Sequence, residues 1–65
     1  MRVKIFYKNE TRLDDEVLEN VIDIITYDNE IDFIYNNSKT QYENSIKVTK
    51  NIPRELINEI VVHDF

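Results

Sequence analysis

Hydrophobic residues recur along this chain with two different periods. Val3, Ile5 and Tyr7 alternate with Arg2, Lys4, Phe6 and Lys8. This predicts a strand over 2–8 with one apolar face and one mostly basic face. Lys8-Asn9-Glu10 reads as a turn. From Leu13 the period lengthens. On a helical wheel of about 100° per residue, Leu13, Val17, Leu18, Val21, Ile22, Ile24 and Ile25 share one half. Asp15, Glu16, Glu19, Asn20, Asp23 and Thr26 fill the other, and only Asp14 is misplaced. Thr11-Arg12-Leu13-Asp14 has the form of a capping box, and acids in a first turn suit the helix dipole. The pattern predicts an amphipathic helix at about 12–26. A competing reading starts from the β-branched residues of Val21 to Tyr27, which favour a strand. With Asp28-Asn29-Glu30 as a loop, Tyr27 would then pair with Ile31, and Ile25 with Phe33.

Strict alternation returns at Ile31, Phe33 and Tyr35, with Asp32, Ile34 and Asn36 between them. Asn36-Asn37-Ser38-Lys39 reads as a turn into a second strand over 40–49. Tyr42, Ile46 and Val48 mark its apolar face. Ile52 must be extended because Pro53 follows it, and Pro53 is well placed to open a helical turn over 53–57. The β-branched run from Ile60 reads as a terminal strand. The predicted class is β-rich α+β: a small antiparallel sheet, one amphipathic helix at about 12–26 and a short helical turn near 53–57. The alternative is an all-β meander or small barrel.

Composition narrows the chemistry. Sixty-five residues predict one small domain over 1–65, and a domain of that size buries only about 60% of its unfolded surface. Cysteine is absent, so neither a disulfide nor a thiolate metal site can staple the chain. Homodimerisation is one remaining route to stability. Glycine is absent too, which removes phosphate-binding loops, dinucleotide fingerprints and nucleophile elbows. Asparagine must then supply the left-handed turn positions. A Ser-His-Asp arrangement would have to use Ser38 or Ser45 with His63, and no motif supports it. Asp28, Glu30 and Asp32 alternate as in a calcium loop but lack its glycine and distal glutamate. The expectation is no enzyme and no cofactor. Tyr7, Tyr27, Tyr35 and Tyr42 read as core or core-edge residues, with one or two available to an interface. No signal peptide or membrane-length apolar run is apparent, which predicts a cytoplasmic protein.

Charge is the one feature directed outward. Residues 1–12, 13–38 and 39–65 carry +3, −8 and 0, giving the net −5. The middle block holds eight carboxylates and no lysine or arginine. On the predicted helix Asp15, Glu16, Glu19 and Asp23 would share an exposed face, and like charges at i, i+4 destabilise a helix. One reading is solubility, or neutralisation by Arg2, Lys4 and Lys8. The other is a face, extended by Asp28, Glu30 and Asp32, that occupies the basic groove of a nucleic-acid-handling protein. Direct nucleic-acid binding is disfavoured by the same negative field. Size, acidity and a composition suggesting an AT-rich genome resemble phage and mobile-element inhibitors, such as anti-CRISPR and nucleic-acid-mimic proteins. That resemblance is one of size and charge, and it assigns no residue. It implies a non-enzymatic protein-binding inhibitor. The alternatives are a small self-associating structural or regulatory protein and a sponge for a nucleotide signal.

Overall fold

The computed structural model describes residues 1–37 and 46–63. They form six strands: β1 (Arg2–Tyr7), β2 (Glu16–Leu18), β3 (Val21–Thr26), β4 (Glu30–Asn37), β5 (Ile46–Pro53) and β6 (Ile57–His63). The strands make two antiparallel three-stranded sheets, ordered β2-β1-β6 and β3-β4-β5. Single 3-10 turns occupy Asn9–Thr11 and Arg54–Leu56. No helix among the described residues is long and apolar enough to cross a membrane.

The amphipathic helix expected at 12–26 is not there. Its residues form a loop, β2, a corner at Asn20 and β3. Two irregularities explain why the wheel fitted. Asn20 is left-handed, with φ 59°, and this corner turns both Leu18 and Val21 into the core. The pairing of β3 with β4 then slips between Val21 and Asp23, so Ile22 is a bulge residue. Ile24 therefore packs on the core as well. Leu18, Val21 and Ile24 thus recur every third residue, a helical spacing produced by a bent and bulged strand path. Thr11 caps a turn and not a helix. Its hydroxyl donates to the Lys8 carbonyl at 2.7 Å and accepts the Leu13 N–H at 3.1 Å. A side-chain turn and a helix cap present the same local chemistry.

The hairpin reading of 21–35 is nearer, but its register differs by one. Thr26 pairs with Ile31, and Ile24 with Phe33. The Tyr27 N–H donates to the Glu30 carbonyl at 2.8 Å, so the loop is only Asp28-Asn29. On β4, Ile31 and Phe33 point inward. On β5, Ile52 is buried and Val48 half-buried. The expected turn at 36–39 and the strand start at Thr40 fall at or beyond the end of β4, and residues 38–45 lie outside the described ones. Pro53 ends β5 on a sheet edge, where its missing N–H costs no ladder bond.

One core lies between the sheets: Val3 and Ile5 from β1, Leu18 from β2, Val21 from β3, Ile31 and Phe33 from β4, and Ile52 from β5. Tyr7, Tyr35, Ile57 and Ile60 close its margin. Backbone bonds join the sheets at the corner. Met1 and Val21 exchange N–H···O bonds of 3.0 and 2.9 Å, and the Asn36 N–H reaches the Asn20 carbonyl at 3.1 Å. At the other end the 3-10 turn after β5 clamps the β3–β4 hairpin. Arg54 donates its backbone N–H to the Asn29 carbonyl at 2.9 Å and its guanidinium to the Tyr27 carbonyl at 3.2 Å.

Arg12, at φ 59°, is the other left-handed residue. A Cβ is unfavourable there, and Arg lacks the local hydrogen bonding that lets Asn tolerate the position. Arg12→Gly is expected to raise stability by up to about 1 kcal/mol, read as a higher urea midpoint at unchanged slope.

Candidate functional site

The seven acids expected on one face do not share one. Asp15 is exposed in the loop before β2. Glu16 turns inward, where its carboxylate accepts the Tyr7 hydroxyl at 2.7 Å and forms an ion pair with the Lys50 ammonium. Glu19 is exposed and pairs with Arg2 at 3.2 Å, a contact open to solvent on both sides. Asp23, Glu30 and Asp32 lie on β3 and β4, with Asp28 in the turn between them. The bent strand path separates Glu16 from Asp23, where a helix would have joined them.

The Glu16 site ties the sheets together. Tyr7 and Glu16 belong to the first sheet and Lys50 to the second. Lys50 occupies the inward phase of β5, between half-buried Val48 and buried Ile52, and is itself half-buried. An ammonium at such a position needs a partner, and Glu16 supplies it. Burial alone would push the Glu16 carboxyl up. The hydrogen bonds from Lys50 and Tyr7, with the Lys50 charge, outweigh burial and hold it below its ordinary 4.5. Burial, then the hydrogen bond to Glu16 and its negative charge, pushes the Tyr7 phenol from 10.0 up to about 12. Alternation carried from Ile46 and Val48 through Lys50 to Ile52 was the available signal for this link.

The outer face of the second sheet carries the remaining acids. Because Ile31 and Phe33 face the core, Asp32 and Ile34 face outward. The register places Ile25, Asp32 and Asn51 in one row, and Asp23, Ile34 and Thr49 in the next. The Asn51 amide donates to Asp32 at 2.6 Å, and Asp23 accepts the Ile24 N–H at 2.9 Å. Glu30 and Asp28 continue the acidic surface to the hairpin tip, beside Tyr27, which is 46% exposed. Residues 21–37 contain no lysine or arginine.

The outer face of the first sheet carries both signs: Lys4 lies on it, Glu59 stands opposite Phe6, and Arg2 is paired with Glu19. Val17, Lys4 and Val61 form a row across it. The Lys4 ammonium lies 5.0 Å from the centre of the Phe6 ring. Arg2 and His63 are cross-strand neighbours at one end. Among the described residues no three acids or histidines converge as a metal site would require. Ser38, Ser45 and Tyr42 lie outside the described residues.

Comparisons with protein-family models, curated proteins and solved structures found no match to this chain. The functional reading therefore rests on the residues themselves.

The two perturbed groups set opposite pH limits. Glu16, lowered in the fold, contributes stability above about 4.5, which is lost as pH falls through its folded value. Tyr7, raised in the fold, contributes stability below pH 10.0, which is lost as pH rises toward about 12. Glu16→Gln is expected to cost about 1 kcal/mol at neutral pH and to match the parent once both forms are in strong acid. Tyr7→Phe should flatten the alkaline limb. Urea midpoints across the pH range check both.

Proposed function

We propose that the chain is a non-enzymatic protein-binding module whose acidic sheet face occupies a basic surface on a nucleic-acid-handling partner. The observation that carries this reading is the outer face of β3 and β4. Asp23, Glu30 and Asp32 share this face with Ile25 and Ile34, and the cross-strand neighbours of Asp23 and Asp32 are Ile34, Ile25 and Asn51, none of them a base; Asp28 lies at the tip, which Arg54 reaches. Separate carboxylates on a stiff sheet offer a phosphate-tracking groove what it normally binds, namely spaced negative charge. The isoleucines add apolar area that nucleic acid lacks. Charge gives fast, oriented encounter, and apolar contact slows release. Such a module acts as an inhibitor by competition, the role found in phage and mobile-element inhibitors of the nucleic-acid-mimic type.

The face differs from the one expected on a helix. Glu16 is committed to Lys50 and Tyr7 at the core margin, and Glu19 to Arg2. Asp23, Glu30 and Asp32, with Asp28 at the rim, carry the reading, and Asp15 is separate from them.

Asp23→Lys combined with Glu30→Lys is expected to weaken partner binding at least about tenfold and to leave the thermal midpoint within a few degrees. The test captures proteins from bacterial lysate on the parent and on the double variant, at low and high salt. The reading expects a basic nucleic-acid enzyme retained by the parent, released by salt or competing DNA, and missing from the variant. Equal retention by both baits would remove the acidic face from the interaction.

A further inference from the structure

We infer that the chain forms a symmetric dimer in which β6 pairs, antiparallel, with β6 of a second copy, the two-fold axis passing through Val61. The inference concerns the protein alone and stands or falls apart from any foreign partner. It starts from a difference among the four sheet edges. An open edge strand invites pairing with another chain, and proteins blunt such edges by shortness, bulges, proline or inward-pointing charge. Here β2 is only three residues long and turns Glu16 inward. β3 carries the bulge at Ile22, its Ile24 N–H is taken by the Asp23 carboxylate, and Val21 is already bonded to Met1. β5 has Lys50 on its inward phase and ends at Pro53.

Over residues 59–63, β6 has none of these devices. It pairs with β1 on one side, and no described strand lies beyond it. The irregularity in that pairing falls before Glu59, and from there to His63 the register with Phe6 to Arg2 is unbroken. Alternate residues of an antiparallel strand direct their N–H and C=O away from a given neighbour, so this stretch presents backbone groups at the sheet edge. Val62 stands opposite Val3, which is fully buried, yet Val62 is 48% exposed. An inward-phase valine is therefore uncovered where a further strand would cover it.

The sequence of the edge selects a second copy as that strand. Glu59-Ile60-Val61-Val62-His63 reads acid, three apolar residues, imidazole. Antiparallel pairing with itself centred on Val61 sets Ile60 opposite Val62 on the inner face, and Glu59 opposite His63 on the outer face at both ends. The imidazole donates an N–H to the carboxylate, and Arg2, paired with Glu19, is the next residue across β1. Opposite-charge and apolar cross-strand pairs stabilise a sheet, and like charges destabilise it. The other two-fold registers lose this match. An axis at Ile60 sets Glu59 against Val61, one at Val62 sets His63 against Val61, and one at Glu59 sets carboxylate against carboxylate. The contact is isologous, so association closes at two. Five residues from each chain make a small interface, and the dimer is weak and reversible.

The experiment is sedimentation velocity on the purified full chain, up to about millimolar concentration. The expected result is a mass that rises with concentration and levels at twice that of the chain. His63→Glu opposes like charges at both ends, and Val62→Lys places an ammonium at the uncovered edge. Each, confirmed as folded by circular dichroism, should weaken association at least about tenfold. Combining His63→Glu with Glu59→Lys restores an opposite pair and should restore the dimer. Register is read separately. The chain has no cysteine, and directly opposed residues of an antiparallel pair lie within disulfide reach. Val61→Cys should therefore cross-link under mild oxidation much faster than Asn58→Cys. If His63→Glu does not fold, Val62→Lys and the two cysteine variants carry the test. A parent that stays monomeric, a mass that passes two chains, single variants that associate like the parent, a charge exchange that restores nothing, or equal cross-linking at 58 and 61 would each overturn the inference.

Discussion

The corner at Asn20 is the constraint on which the rest of this structure depends. It lets one continuous segment serve both sheets, with Leu18 and Val21 in the same core three residues apart. Backbone bonds hold it on both sides: the Asn20 carbonyl takes the Asn36 N–H, and Val21 exchanges bonds with Met1. Once the corner and the following bulge are placed, the phase of β3 is settled, and pairing settles β4 and β5 in turn. The positions of Asp23 and Asp32 on the outer face, and of Lys50 at the core margin, are downstream of that geometry. A chain without glycine makes this turn with the residue that tolerates left-handed backbone best after glycine.

The same corner explains what could be read from the sequence and what could not. The strand at the start, the alternation of Ile31, Phe33 and Tyr35, and the extended residue before Pro53 are legible because each depends on local pattern alone. The segment 12–26 is not. Its apolar spacing sums a left-handed corner and a bulge, and neither leaves a periodic trace separable from a helix. β-branched density was the cue pointing the other way. That cue was outweighed because a wheel counts positions and ignores the backbone preference of the residues filling them. The error then propagated to the site, since a helix gathers Asp15, Glu16, Glu19 and Asp23 on one side and a bent strand distributes them.

Glu16 shows how the small core is supplemented. Among the described residues seven buried side chains form it, and with no cysteine in the chain no disulfide can reinforce them. A carboxylate held by a phenol and an ammonium from the opposite sheet adds a directional link at the core margin, where partial hydration keeps the desolvation cost modest. The first sheet contributes both Tyr7 and Glu16, so only Lys50 must be delivered from outside. That division makes the phase of β5 a condition for joining the sheets, and a one-residue slip would turn Lys50 to solvent.

The outer acids obey a different logic. Like charges directly opposite each other on neighbouring strands destabilise a sheet. Here Asp32 faces Ile25, and Asp23 faces Ile34, so the carboxylates are staggered and each has an isoleucine beside it. Across β5 the neighbour of Asp32 is Asn51, which donates a hydrogen bond and brings no charge. A lysine at that position would hold Asp32 equally well and cancel its field. The face thus keeps Asp23 and Asp32 ordered, apart and without a basic cross-strand neighbour, at little cost to the fold. Solubility alone requires none of these three features together. The proposed binding role would use all of them, since ordered carboxylates with isoleucines beside them can meet a basic surface through both charge and apolar contact.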